Sequence, residues 1–316
     1  MSLGPPTIRF GASWSTQFRF TQAIGRGLSE LKPIKALVVV GERAGVAALG
    51  NGDLDLVFSK SIVNQHQHQG KGYYAGREPA TWLRTIAWLP QEDRFLFAVA
   101  PWTGIQTFED ITTKSPTLKM VGQAPVPVLQ VHGFSYDDIK EWGGSVGSME
   151  HTAPAAKQRY DRGELDAFFG DGSAYDFSAW RWVADRGYRF LDIREERMQQ
   201  LERDYGLRRN ITPAGFLPGI GQTLLALDDS HIVLTCSERL DEEIAYLLAK
   251  AVDRNKRQIE CESIQVAYGD SGSLSLIEPT YWSSLTGHID RQWDQSIVGA
   301  PLHPGAERYY RELGAL

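Results

Sequence analysis

Hydroxyl side chains and one lysine follow two predicted strands, at positions where they can bind an anion. Ser13, Ser15 and Thr16 stand between a short strand and a segment with helical spacing, and Ser59 with Lys60 follows the strand at 54–58. Hydroxyls cap the free N–H groups of a helix start, the same N–H groups hold anions, and a lysine pairs with carboxylates. A plain helix cap and a solvated lysine are the alternatives. This pattern predicts a small carboxylate site.

Aromatic residues offer an apolar lining for such a site, because ligand pockets are mostly apolar with a few placed polar groups. The chain has 9 Trp, 12 Tyr and 13 Phe. Loop positions make Trp14 and Phe216 the main candidates. Phe18 is a third candidate, although ordinary core packing is the favoured interpretation of Phe18 and of the tryptophans at 102, 180 and 182. Two further candidates follow strands in the middle of the chain: Gln123, after the strand at 117–121, and Asp171, in a turn expected at 170–173.

Residues for covalent or metal chemistry have no convincing spacing. HExxH, P-loop and GxGxxG motifs are missing from the sequence. The segment 143–147 matches GxSxG by letter, but a helical stretch precedes it, so a flexible Gly-Ser loop is expected instead of a nucleophile elbow. His66 and His68 have no third ligand nearby and indicate a solvated helix end. Free thiols and a disulfide both remain open for Cys236 and Cys261. We therefore predict no catalytic residue, metal or cofactor, and a binding function.

Apolar strands that alternate with helices predict an α/β fold with parallel strands. A length of 316 residues suits two domains. The pattern Gly-x-Leu-Asp-x-x-Phe occurs at 52–58 and again at 163–169, which supports one copy in each lobe. We place the chain crossings near 100 and 215. This gives a lobe I of 1–99 with 215–316 and an inserted lobe II of 100–214.

Charge and hydropathy exclude several classes of partner. The formal net charge is -6, so the chain has no excess of cations for nucleic acid or an anionic membrane. No run of about 18 apolar residues is present. An acidic protein that binds an acid needs a local site, and this focuses attention on the segment 13–16 and on Lys60.

Several motifs together resemble the TAXI-type solute receptors of tripartite ATP-independent periplasmic (TRAP) transporters. The resemblance covers nearly the whole chain in order. Its motifs are Leu49-Gly50-Asn51-Gly52-Asp53-Leu54-Asp55, Asp137-Asp138-Ile139-Lys140 with Trp142-Gly143-Gly144, Gly163-Glu164-Leu165-Asp166, Thr212-Pro213-Ala214-Gly215, and Pro301-Leu302-His303-Pro304-Gly305-Ala306 with Tyr309-Tyr310.

The resemblance implies a type II periplasmic-binding-protein-like fold: two α/β lobes with a ligand cleft between them. It also implies a periplasmic protein, its signal peptide removed, that closes on a small organic acid and delivers it to a TRAP membrane permease. Trp14 and Phe216 match ligand-facing segments of the family. The chain departs from the family in a bulkier first loop, in a shortened loop at 122–127, and in Phe216, where relatives tend to carry Tyr.

Two other functions fit the same two-lobed scaffold. One is an enzyme, which requires a perturbed acid or base in the cleft. The other is a sensor that reports a ligand to a membrane kinase. The identity of the ligand and the oligomeric state are left open by the sequence.

Overall fold

The computed structural model describes residues 5–12, 15–40, 45–74, 76–89, 93–122, 125–147, 154–173, 177–230, 232–260, 291–294 and 299–316. The chain divides into two compact units. Unit 1 is Met1–Glu92 with Ser230–Leu316, and unit 2 is Asp93–Asp229. Within the described residues no helix combines the length and hydropathy that a membrane span needs.

The described strands fall into two sheets, one in each unit. In chain order the strands are β1 (Thr7–Ala12), β2 (Lys35–Val40), β3 (Leu56–Lys60), β4 (Leu83–Leu89), β5 (Asp93–Val99), β6 (Lys119–Gly122), β7 (Ser145–Gly147), β8 (Ala167–Ser173), β9 (Arg189–Phe190), β10 (Arg208–Thr212), β11 (Leu224–Asp228) and β12 (Ile232–Ser237).

Helices connect most of these strands. They are α1 (Ser15–Leu31), α2 (Val46–Asn51), α3 (Ser61–Gln69), α4 (Phe108–Lys114), α5 (Val126–Val131), α6 (Tyr136–Glu141), α7 (Pro154–Asp161), α8 (Phe177–Asp185), α9 (Glu195–Tyr205), α10 (Glu242–Arg254) and α11 (Pro304–Glu312).

The sheet of unit 1 has the strand order β2-β1-β3-β12-β4. β1 pairs in parallel with β2 and β3, and β12 is antiparallel to both β3 and β4. Phe10 of β1 lies beside Leu56 of β3. The carboxyl ends of β1 and β3 therefore share one edge of the sheet, where α1 and α3 begin.

Apolar side chains of this sheet pack under α1, α10 and α11. The rings of Phe10 and Phe20 lie 6.5 and 6.2 Å from that of Phe58. On α11, Tyr310 is fully buried and its hydroxyl donates to the Ile86 carbonyl at 2.9 Å. The Tyr pair of the family-like motif thus belongs to the core.

The start of α11 is fixed by the histidine and proline of the same motif. His303 is the N-cap, and its Nδ1 accepts a hydrogen bond from the Gly305 N–H at 3.2 Å, with Pro304 in the first turn. Gly305 packs against α10 so closely that a Cβ there would lie 2.0 Å from the Glu242 carbonyl oxygen. This segment is a helix-packing device.

The repeated Gly-x-Leu-Asp pattern has one structural role in both units. Asp55 Oδ2 accepts the N–H of Arg9 on β1 at 2.8 Å, and Asp166 Oδ2 accepts the N–H of Lys119 on β6 at 2.8 Å. Gly52 and Gly163 have φ values of 78° and 66°, a region that favours glycine. Each copy ends a helix and ties the incoming strand to its parallel neighbour.

The sheet of unit 2 has the order β10-β11-β5-β8-β6-β7, with β9 also paired to β5. The three parallel strands β6, β7 and β8 end at one edge, and antiparallel β5 begins there, since Arg94 lies beside Gly172. A core under α8 includes Leu96, Phe168 and Trp180.

Three sequence expectations differ from this arrangement. The units meet at 92/93 and 229/230 instead of near 100 and 215, because Asp93–Val99 and Leu224–Asp228 pair within the second sheet. The turn expected at 170–173 is strand, because β8 pairs with β5 along its full length. The expected loop at 145–147 is the strand β7, which pairs in parallel with β6.

Candidate functional site

Two predicted site residues lie at the strand edge of unit 1. Ser59 and Lys60 are the last residues of β3, and Lys60 is also the N-cap of α3. Both side chains are partly exposed. At the same edge α1 begins at Ser15, since β1 is parallel to β3. The structure thus brings the starts of two helices and the Ser59-Lys60 pair to one side of the sheet.

The Ser59 hydroxyl takes part in a hydrogen-bonded triangle with two fully buried side chains. Its Oγ donates to Asn64 Oδ1 at 2.5 Å and lies 3.2 Å from Thr235 Oγ1. Asn64 Nδ2 donates to Thr235 Oγ1 at 2.7 Å. The triangle joins β3, α3 and β12, and it fixes the first turns of α3 against the sheet.

The other predicted ligand-binding residues either pack in the core or are not described at the level of their side chains. Phe18, in the first turn of α1, packs against the core of unit 1. Ser13, Trp14 and Gln123 lie outside the described residues. For three more, Ser15, Thr16 and Asp171, only the backbone is described, in α1 for the first two and in β8 for the last.

In unit 2, Phe216 covers a buried arginine that the sequence reasoning missed. The guanidinium carbon of Arg94 lies 4.1 Å from the centre of the Phe216 ring. Only 3% of Arg94 is exposed. Its Nη1 lies 3.4 Å from the hydroxyl oxygen of buried Thr212. The arrangement places a permanent positive charge between an aromatic face and a hydroxyl.

The position of Arg94 in its strand is the sequence feature that could have identified it as a candidate. Arg94 is the one cation in Asp93–Val99, and strand alternation puts its side chain on the face of Leu96 and Ala98, which belong to the core. Cations are rarely buried unless they are paired. Arg94 also lies at the edge where the parallel strands end, which is where open α/β sheets bind ligands.

The tryptophans assigned to packing divide into two groups. Trp180 is buried, with its ring 4.2 Å from that of Phe168, and Trp182 packs beside the same core. Trp102 is 53% exposed, and its Nε1 donates to Asp166 Oδ1 at 2.8 Å. The prediction of core packing is therefore correct for Trp180 and Trp182. It is wrong for Trp102, because the Trp102 indole lies over the loop that precedes β8.

Histidines in both units are buried. His66, expected at a solvated helix end, is 3% exposed and packs so tightly on Gly72 that a Cβ there would lie 2.4 Å from the imidazole. His132 is stacked on Phe108 at 4.1 Å, and burial lowers its pKa to about 4. Among the described residues no group of three His, Cys, Asp or Glu side chains is placed to hold a metal.

The thiol of Cys236 is fully buried in β12, and burial raises its pKa well above the ordinary value. It is a free cysteine in the described part of the chain, while Cys261 lies outside that part. A protonated, buried thiol packs as a small apolar side chain and does not act as a nucleophile.

A comparison with protein families finds a match over most of the chain. Residues 19–277 match the NMT1-like family. The chain belongs to the NMT1-like family. The matched residues include most of α1, the strands β2 to β12 and the Arg94-Phe216 contact, whereas β1 and α11 lie outside the match.

Solved structures match nearly the whole chain at low sequence identity. A protein of Bordetella bronchiseptica RB50 matches with a TM-score of 0.50 and 12% identity over 99% of this chain and 98% of its own. A TRAP periplasmic solute-binding protein of Ochrobactrum anthropi, with a C-terminus bound in the ligand-binding pocket, has a TM-score of 0.47 and 11% identity over 99% of this chain and 92% of that one. A TRAP periplasmic solute-binding protein of Pseudomonas aeruginosa PAO1, with bound L-malate, reaches 0.45 and 10% over 98% and 98%.

These similarities concern architecture. The predicted α/β class with two units is confirmed by the two sheets and the two compact units of the structure. At such identities, the ligands of the compared proteins are properties of those proteins.

Proposed function

We propose that this protein is an extracytoplasmic solute receptor of the TAXI type, which binds a small organic acid and delivers it to a TRAP membrane permease. Binding without chemistry suits the groups present at the two strand edges: hydroxyls, aromatic rings, Lys60 and Arg94. The TAXI assignment, the periplasmic location and the permease rest on the sequence motifs.

The observation that carries the proposal is the buried Arg94 under Phe216. A guanidinium keeps its charge at all physiological pH values and offers five N–H donors in a planar fork that fits a carboxylate. It can therefore keep its partners inside unit 2 and still bind an anion. Ligand pockets bury most of the ligand surface, so a recognising group is itself expected to be largely shielded from water.

The surrounding residues favour an acid with an apolar part. Phe216 covers one side of the guanidinium and prevents water from competing there. The chain as a whole carries a formal charge of -6, which opposes the approach of anions. A local cation that is shielded from water beside an aromatic ring is the way for such a protein to select a small carboxylate.

A thermal-shift screen on the full chain tests this function. The protein is unfolded, dialysed and refolded to remove any bound ligand, and is then heated with dicarboxylates, hydroxy acids, amino acids and aromatic acids. A ligand that binds the folded state at about 100 times its Kd adds about 2.7 kcal/mol, so we expect a Tm increase of several degrees with at least one acid. A screen in which no acid raises the Tm would refute the receptor function.

A further inference from the structure

We infer that the acid bound by this protein carries a hydrogen-bond donor, a hydroxyl or N–H group, which Ser59 accepts. This inference rests on the proposed function and specifies the class of its solute. It follows from the way in which Ser59, Asn64 and Thr235 share their protons.

The proton of the Ser59 hydroxyl is committed inside unit 1. Ser59 Oγ donates to Asn64 Oδ1, because an amide oxygen only accepts. Asn64 Nδ2 donates to Thr235 Oγ1. A hydroxyl has one proton, so the 3.2 Å contact of Ser59 and Thr235 is one in which Thr235 donates to Ser59.

The three hydrogen bonds therefore form a closed ring in which every member donates once and accepts once. If the Asn64 amide is turned over, the ring runs in the opposite sense, with Ser59 donating to Thr235 and Thr235 donating to Asn64. The Ser59 proton lies inside the ring in both senses. Asn64 and Thr235 are fully buried, which makes breaking the ring costly.

What remains for a solute is one lone pair on Ser59. A hydroxyl oxygen accepts up to two hydrogen bonds, and the ring uses one of them. Ser59 is the partly exposed member of the three, at the end of β3 where α3 begins. A carboxylate oxygen also only accepts, so it cannot pair with this lone pair. A solute hydroxyl, ammonium or amide N–H can.

Acids that differ only in whether they carry a hydrogen-bond donor test this inference. We propose isothermal titration of the full chain with three triplets that differ only in H, OH or NH₃⁺ beside a carboxylate: propionate, lactate and alanine; succinate, malate and aspartate; 3-phenylpropionate, 3-phenyllactate and phenylalanine. The expected preference for the OH or NH₃⁺ member is roughly five- to tenfold, the effect of one hydrogen bond. The OH and NH₃⁺ arms identify which donor is used.

Variants of Ser59 test whether this residue makes the choice. Ser59→Ala is expected to lose the preference for the OH or NH₃⁺ member, while Ser59→Thr keeps the hydroxyl and the preference. Ser29→Ala is the matched control, because the Ser29 hydroxyl donates to the Arg26 carbonyl on the exposed side of α1. Circular dichroism confirms that each variant is folded.

The outcomes of these experiments distinguish a failure of this inference from a failure of the proposed receptor function. Acids that bind without any donor preference, or a preference that survives in Ser59→Ala, would overturn the inference and leave the receptor function standing. A chain that binds no member of the three triplets, and whose Tm no acid of the thermal-shift screen raises, contradicts both.

Discussion

At the scale of single residues, the two aspartates of the repeated pattern show how a motif can be structural. Asp55 and Asp166 each accept a backbone N–H from the neighbouring parallel strand, and Asp166 also accepts the Trp102 indole N–H. An acidic residue at a strand junction is visible in the sequence. Its partners are far along the chain, so their identity required the fold.

Replacement of Asp166 measures this role. Asp166→Ala removes the acceptor for two N–H donors, and we expect a loss of about 1–3 kcal/mol in the free energy of unfolding. Urea denaturation provides the measurement. The control is Asp137→Ala, which removes an exposed ion pair with Lys140 and should change the stability much less, because exposed ion pairs contribute little. Equal effects of the two variants would contradict the role given to Asp166.

His132 makes the stability of unit 2 sensitive to acid. Burial is the main cause of its low pKa, and Glu109, Arg194 and Arg197 are the charged groups that act on it. The pKa is about 4 in the folded state against an ordinary 6.5. The unfolded state therefore binds more protons between these values. Stability is fully present above pH 6.5 and falls as the pH decreases toward 4.

This dependence gives a prediction. Lowering the pH from 7 to 5 is expected to cost unit 2 about 2 kcal/mol through His132 alone. His132→Phe keeps the stacking on Phe108 and cannot titrate, so its unfolding free energy should change less over the same range. Urea titrations of both proteins at the two pH values supply the comparison. Parallel pH profiles for variant and wild type would show that His132 does not carry the effect.

At the scale of elements, the C-terminal motif that most resembles the family turns out to build a helix contact. The His303 cap, Pro304 and buried Tyr310 set the start and the packed face of α11, and Gly305 allows its close approach to α10. The cap and the proline were predictable from local rules. The close approach was not, because it depends on the carbonyl of Glu242, distant in sequence.

Gly305→Ala tests this contact. A methyl group at 2.0 Å from a carbonyl oxygen forces α11 away from α10, and such overpacking typically costs about 1–3 kcal/mol. The control is Gly45→Ala, whose Cβ would meet nothing within 4 Å. Thermal unfolding should show a lower Tm for Gly305→Ala alone. An unchanged Tm would mean that the helices are not held by this contact.

Element boundaries also show where sequence reasoning ends. Alternating apolar strands and helices predicted the α/β class correctly, because that periodicity is local. The strand Asp93–Val99 was expected in the first lobe and pairs in unit 2, since pairing is decided by partners such as β8 and β11. The same distance in sequence hid the Ser59-Asn64-Thr235 ring and the contact of Arg94 with Phe216.

At the scale of the whole molecule, the net negative charge of the chain opposes anion binding, whereas the proposed site at Arg94 favours it. The acidic chain repels anions at long range, and Arg94 supplies a buried cation beside the Phe216 ring. Long-range repulsion is screened by salt, whereas a shielded contact is screened much less. The affinity for an acid should therefore change little with ionic strength if Arg94 dominates binding.

The most direct measurement is isothermal titration of wild type, Arg94→Lys and Arg94→Gln with the acid that gives the largest thermal shift, beside the uncharged amide of that acid. The account predicts that the acid binds tightly to wild type and that the uncharged amide does not bind. Binding of the acid should be at least about tenfold weaker in Arg94→Lys, because a lysine cannot form the planar fork. It should be about a hundredfold weaker in Arg94→Gln, which has no charge. Equal affinity of the acid for wild type and for a folded Arg94→Gln would contradict it.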